Sequence, residues 1–255
     1  MMFDSTQPAR TAPLMRVSEF QRYLAEGEQE TRAGSTRLSS LNPSLLVDLQ
    51  RFARAESAGS ADGALEVLEV LAAAVRHARP LRVHLQHEYR VVPLTVFPNE
   101  HQMHCPVALA TLLQWRLTEL RVLHVEPARI AAHDPARPGP EAHHHAPLGP
   151  LLWELALRGA RDELLPEIGG SAAYRVAPGV DLSRLDLAGT LAAAVQRLAR
   201  QTTNLREIAG WPGFDRERAM RMLNGLYLHG ALMVSRSHPA ATNLDWTSGE
   251  ADPAR

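Results

Sequence analysis

The apolar positions of this chain follow a helical period in some stretches and a period of two in others, and the alternation between them sets its expected organisation. A short helical pattern covers 17–27, inside a Ser-, Thr- and Arg-rich stretch. Residues 1–40 accordingly read as a polar, loosely attached lead segment. Leu41-Asn42-Pro43 then has the form of a helix start, with Asn42 as N-cap and Pro43 at the first helical position. Leu45, Leu46, Leu49 and Phe52 follow on one face, until turn-forming residues interrupt the pattern at 58–63. A second, more apolar helix is predicted over 64–79, where Leu65, Leu68, Leu71 and Ala72 form a stripe that Val67, Val70 and Val75 widen. Pro80 closes it.

The period then changes to two. Leu81, Val83 and Leu85 alternate with Arg82, His84 and Gln86, the pattern of a half-buried strand. On this reading His84 and His87 face solvent near a hairpin. Val92, Leu94 and Val96 alternate in the next strand, Pro98-Asn99-Glu100 make a turn, and 101–105 is a third, shorter strand. A helix over 106–115 and a strand over 120–125 follow. Residues 41–132 are therefore expected to be an α+β module, a small, mostly antiparallel sheet with packed helices. Residues 133–150, with Pro138-Gly139-Pro140 and His143-His144-His145, have the composition of a Pro/Gly/His-rich linker.

Residues 151–240 are expected to be a helical module, and 241–255 a polar tail. The first helix, 151–165, is closed by Gly169-Gly170, and Tyr174-Arg175-Val176 is a short strand. Ser183 with Asp186 matches a capping box for a helix carrying Leu187, Leu191, Val195 and Leu198. Asn204 with Glu207 repeats the logic for a short helix that Gly210 ends in the left-handed conformation. Asp215 caps a third helix in which Ala219, Met222, Leu223 and Leu226 recur at helical spacing. Gly230 stops it, and a strand covers 231–235.

Composition narrows the chemistry. All 27 basic residues are Arg, so every mechanism that needs a lysine is excluded, a Schiff base and a P-loop lysine among them. The formal net charge is −1, which argues against a protein built to coat nucleic acid or an anionic membrane. The lone Cys105 cannot form an internal disulfide, no signal-peptide core is seen near the start, and no apolar run spans a membrane. A cytoplasmic location is expected, with no membrane partner. The nucleophile-elbow, dinucleotide-binding and His-Glu-x-x-His motifs are missing from the sequence, so neither catalytic residues nor a cofactor are assigned. His101, His104 and Cys105 are weak metal-ligand candidates, because a strand would turn His104 away from the other two.

The order helix, short helix, tight turn, long helix and strand over 181–238, ending in Gly230-Ala231-Leu232-Met233-Val234, resembles the winged-helix modules appended to bacterial regulatory and signalling proteins. The resemblance implies a helix-turn-helix whose third helix meets DNA or a protein. It departs from the family at Pro239, since a second wing strand would have to come from 243–246 or be missing. Within 181–238 there are eight Arg against five Asp or Glu. Arg206, Arg216, Arg218 and Arg221 are the candidate contact residues, while Asp215 and Glu217 would oppose binding to phosphates. The expected function is a non-enzymatic cytoplasmic regulatory or adaptor protein acting through protein contacts. A DNA-binding transcriptional regulator is the alternative, and a homodimer is among the assemblies open to either.

Overall fold

The computed structural model describes residues 14–32, 67–134 and 142–242. Helix and strand are mixed, every strand pair is antiparallel, and the chain divides into two compact units, Met1–Ala160 and Arg161–Arg255. The helix expected from Asn42 and the turn at 58–63 lie outside the described residues, as does the 243–246 segment.

In the first unit, α1 (Val17–Arg32) and α2 (Val67–Arg76) precede the strands β1 (Leu81–His87), β2 (Arg90–Phe97) and β3 (Gln102–His104). A four-residue helix α3 (Leu109–Leu112), β4 (Arg121–Pro127), β5 (His145–Pro147) and α4 (Leu148–Arg158) complete it. The sheet order is β4-β1-β2-β3-β5. Leu81, Val83 and Leu85 of β1 sit opposite Val96, Leu94 and Val92 of β2, and all six are buried. This face is the core that the alternation predicts. The helix α2 is buried from Val67 to Ala74 except Glu69 and packs against α4.

Four expectations change in this unit. The lead segment is attached: Arg16 bridges Arg90, the Val17 amide donates to the Tyr89 carbonyl at 3.0 Å, and the Val91 amide donates to Met15 at 2.9 Å. The helix expected over 106–115 shrinks to α3, whose N-cap Ala108 offers no side-chain acceptor. Trp115 lies beyond it and stacks on His87 with ring centroids 3.8 Å apart. The expected linker is partly sheet, because β5 pairs with β3 through Met103 and Ala146. The helix expected over 151–165 starts at Leu148 and ends at Arg158, inside the first unit. Gly159 ends it with ψ −175°, and a Cβ there would lie 2.2 Å from the Leu155 carbonyl oxygen.

The second unit holds β6 (Ala173–Val176), α5 (Gly189–Arg200), β7 (Thr203–Asn204), α6 (Leu205–Ala209), α7 (Arg216–Leu228) and β8 (Leu232–Ser235). Its sheet order is β7-β6-β8. Asn204 and Asp215 cap α6 and α7 as their positions predict, accepting from the Glu207 amide at 2.9 Å and the Arg218 amide at 2.7 Å. Thr203 adds a hydroxyl bond to the Glu207 carboxylate. Gly230, with φ +74°, ends α7 in a Schellman arrangement in which Ala231 donates to Leu226 and Gly230 to Tyr227. Two local signals read otherwise. The Ser183 amide is taken by the Asp181 side chain, and α5 starts only at Gly189 without a side-chain cap. Gly210 has φ −84°, and the left-handed residue of that turn is Gly213, at φ +74°. No helix among the described residues is long and apolar enough to cross a membrane.

Candidate functional site

Three of the four arginines singled out by the sequence, Arg216, Arg218 and Arg221, lie in the first two turns of α7, but not on one face. At 100° per residue, Arg216 lies about 140° around the helix from Arg221 and about 160° from Arg218. Arg218 donates to the Gly213 carbonyl at 2.8 Å, and its guanidinium rests 5.2 Å from the Phe214 ring centroid. Arg221 pairs with Glu217 at 2.8 Å, and its side chain is only 17% exposed. Arg206 is exposed on α6. Beside them, Arg197 stacks over Trp211 at 4.6 Å, and Trp211 meets Phe214 edge-on.

The helix itself is buried on two sides. Ala219, Met222, Leu223 and Leu226 form the predicted inner stripe, each 0% exposed. The opposite side carries Glu217, Arg221, Asn224 and Leu228. Asn224 is also 0% exposed. Its Oδ1 accepts from the Leu165 amide at 2.9 Å, and its Nδ2 donates to the Glu163 carbonyl at 2.8 Å. Residues 163–165 therefore lie across the outward side of α7. They continue into a stretch held by the Tyr174 hydroxyl on Ile168 O at 2.7 Å and by Arg236 on the Glu167 and Gly169 carbonyls. Burial pushes the Tyr174 phenol up to about 12, so it stays a donor. No pattern in 161–168 announced this strap. A polar Asn in the middle of an apolar helix was the one available signal.

In the first unit the sheet face opposite the core is polar. Register places Glu126, Arg82, Thr95, His104 and His145 side by side across all five strands. The neighbouring row holds His124, His84 and Pro93. At the β3–β5 end, the His104 ring lies 5.5 Å from His144 and 4.8 Å from His145, and His145 lies 5.4 Å from His133. The backbone there is fixed: His133 and Gln102 exchange two hydrogen bonds, and the Cys105 amide donates to His144 O at 2.9 Å.

His104 thus keeps company with the histidines of the expected linker and not with its weak metal partners. His101 sits in a turn at φ +52° and Cys105 is buried. Among the described residues no group of three His, Cys, Asp or Glu is placed to hold a metal ion. Burial raises the Cys105 thiol to about 11, leaving little thiolate near neutral pH.

At the other end of this face the expectation for His84 fails. It is 8% exposed, stacked under Phe20 of α1 with centroids 4.6 Å apart, and edge-on to His124 at 5.8 Å. Its Nε2 lies 3.3 Å from Glu126 Oε1, a carboxylate that Arg129 also binds at 2.7 Å. Burial, then the neighbouring His124 and Arg82, lower His84 to about 4 despite that carboxylate. The neutral ring donates from Nε2 to Glu126. The one clue in the sequence was Val91, an apolar residue out of step with the alternation of β2; in the structure both Val91 and Thr95 are buried, like Val92 and Leu94. A strand buried on both sides means that the second sheet face is covered too.

No protein-family model, curated protein or solved structure is significantly similar to this chain.

Proposed function

We propose that this chain is a non-enzymatic regulatory or adaptor protein that works through protein contacts, with its second unit a winged-helix-like module. The order α5, β7, α6, α7, β8 supports the resemblance, with β7 between the first two helices and a strand directly after the third. The middle strand of that sheet is β6, which precedes the helices, so the three strands form without a wing after β8.

One observation carries the choice of protein over DNA. A recognition helix lies along the major groove with its N-terminal residues at the bases. Here residues 163–165 cross the outward side of α7 past its middle, at the buried Asn224, which obstructs such an approach along the helix. Arg218 and Arg221 are also turned to partners within the module, and the N-terminal turn adds Asp215 and Glu217, which repel phosphate.

DNA reading remains the rival because Arg206, Arg216 and Arg218 stay exposed. The test is a titration of the full chain against a labelled random-sequence duplex, followed by anisotropy at low and moderate salt. An Arg216→Ala, Arg218→Ala, Arg221→Ala variant runs alongside. The contact reading expects no binding even at low salt, where phosphate attraction is strongest. Binding that weakens steeply with salt and is lost in the variant would replace it with a DNA-binding regulator.

A further inference from the structure

We propose that residues 15–23 form a detachable cap on the first unit's sheet, and that docking of this cap is coupled to loss of a proton from His84. The proposal concerns the first unit alone and stands apart from the reading of the second.

The cap holds the sheet at two places. Its backbone pairs with the start of β2, through Val17 to Tyr89 O and Val91 to Met15 O. Its one buried side chain among 14–25 is Phe20, which stacks on His84, meets His124 edge-on at 6.4 Å and lies 6.5 Å from Tyr23. The side chain under the anchor is therefore itself titratable.

The groups around it are mixed in sign. Arg82 flanks His84 on β1, His124 and Glu126 face it from β4, and Arg129 after β4 binds Glu126. Arg16 just before α1, and Glu19, Arg22 and Tyr23 on it, lie within about a turn of Phe20 in sequence, and the Glu19 carboxylate accepts from the Arg16 amide. With Glu126 shared between Arg82 and Arg129, a proton on His84 meets two cationic or ionisable neighbours, Arg82 and His124, beneath a hydrocarbon ring. Capped, His84 resists protonation down to about 4, chiefly because it is buried. Uncapped, it faces water and loses the burial that opposes its proton most, so its affinity rises toward an imidazole's usual value of about 6.5, with Arg82 and His124 still opposing it.

The sign follows from linkage. The uncapped form binds more protons between those two limits, so docking is full above about pH 6.5 and weakens about tenfold per pH unit on the way down. Release uncovers Phe20, the His84 ring and the backbone groups of Tyr89 and Val91 at the part of β2 that β3 leaves open, since β3 pairs only with Thr95, Val96 and Phe97.

Amide hydrogen exchange on the full chain tests this. After correction for intrinsic rates, protection of the Val17 and Val91 amides is expected to fall about tenfold per pH unit from 6.5 to 5, while the β1–β4 ladder holds steady. In His84→Gln the two amides should keep their protection across that range. Equal behaviour of cap and ladder, or a slope that persists in His84→Gln, overturns the proposal. Phe20→Ala provides a second readout that needs no change at His84. Followed by NMR of its ring nitrogens, the His84 midpoint should return toward about 6.5. A midpoint that stays near 4 there shows that the cap does not set it, and sinks the idea.

Discussion

Asn224 shows how much one polar side chain can hold. It sits in the middle of α7 at 0% exposure, and both ends of its amide are bonded to the strap at Glu163 and Leu165. Asn224→Ala would strand a buried N–H and a carbonyl, at a cost of about 2–3 kcal/mol in urea unfolding. Asn224→Asp should be no better, since a carboxylate cannot donate to the Glu163 carbonyl and would be buried as a charge. Cys105 makes the opposite case, a group kept from reacting. Its thiol is raised to about 11 by burial, so the unfolded chain loses that proton first. Stability is then expected to decline between about pH 9 and 11, by up to roughly 3 kcal/mol. The decline should be shallower in Cys105→Ala, as chemical unfolding at several pH values would show. In the native chain at pH 8, alkylation of Cys105 should be far slower than in urea.

Among the elements, those with strong local signals are the ones legible in the sequence. Asn204→Ala and Asp215→Ala each remove a cap seen in both sequence and structure, and each should cost about 1 kcal/mol. Gly159→Ala should cost more, about 2 kcal/mol or above, because its Cβ would collide with a backbone oxygen; a thermal melt checks the order of the three. The strands β1, β2 and β4, the stop at Gly230 and the inner stripe of α7 were all readable, since each is written in periodicity or in a cap. What was not readable has a common cause. The strand β5 is three residues of a His- and Pro-rich stretch and takes its extended form from pairing with β3. Ser183 and Asp186 have the letters of a capping box, but Asp181 claims the Ser183 amide first. The candidate site divides the same way. The arginines of α7 were legible as residues, but not as side chains tied to Gly213, Phe214 and Glu217. The polar row on the sheet was invisible, because it exists only once five strands are in register.

At the scale of the whole molecule, the sequence placed its division at 133–150, whereas the chain divides into compact units between Ala160 and Arg161. That difference can be checked by cutting. A fragment beginning at Arg161 contains β6, the strap and all three helices, and is expected to unfold cooperatively by circular dichroism. A fragment beginning at Asp181, the start suggested by the winged-helix resemblance, lacks the strand between β7 and β8 and is expected not to do so. Cooperative unfolding of the shorter piece would show that β6 is dispensable.

The place of β6 also bears on how the chain is made. During synthesis this strand leaves the ribosome before both of its neighbours, β7 and β8. Its last partner, Ser235, is opposite Ala173 and is among the final described residues to emerge. Until then at least one edge of β6 is open, and an open edge is a template for pairing with another chain. Premature stops between β7 and β8 would leave nascent chains with their central strand half covered, so aggregation of truncated products should be most pronounced for stops in that interval.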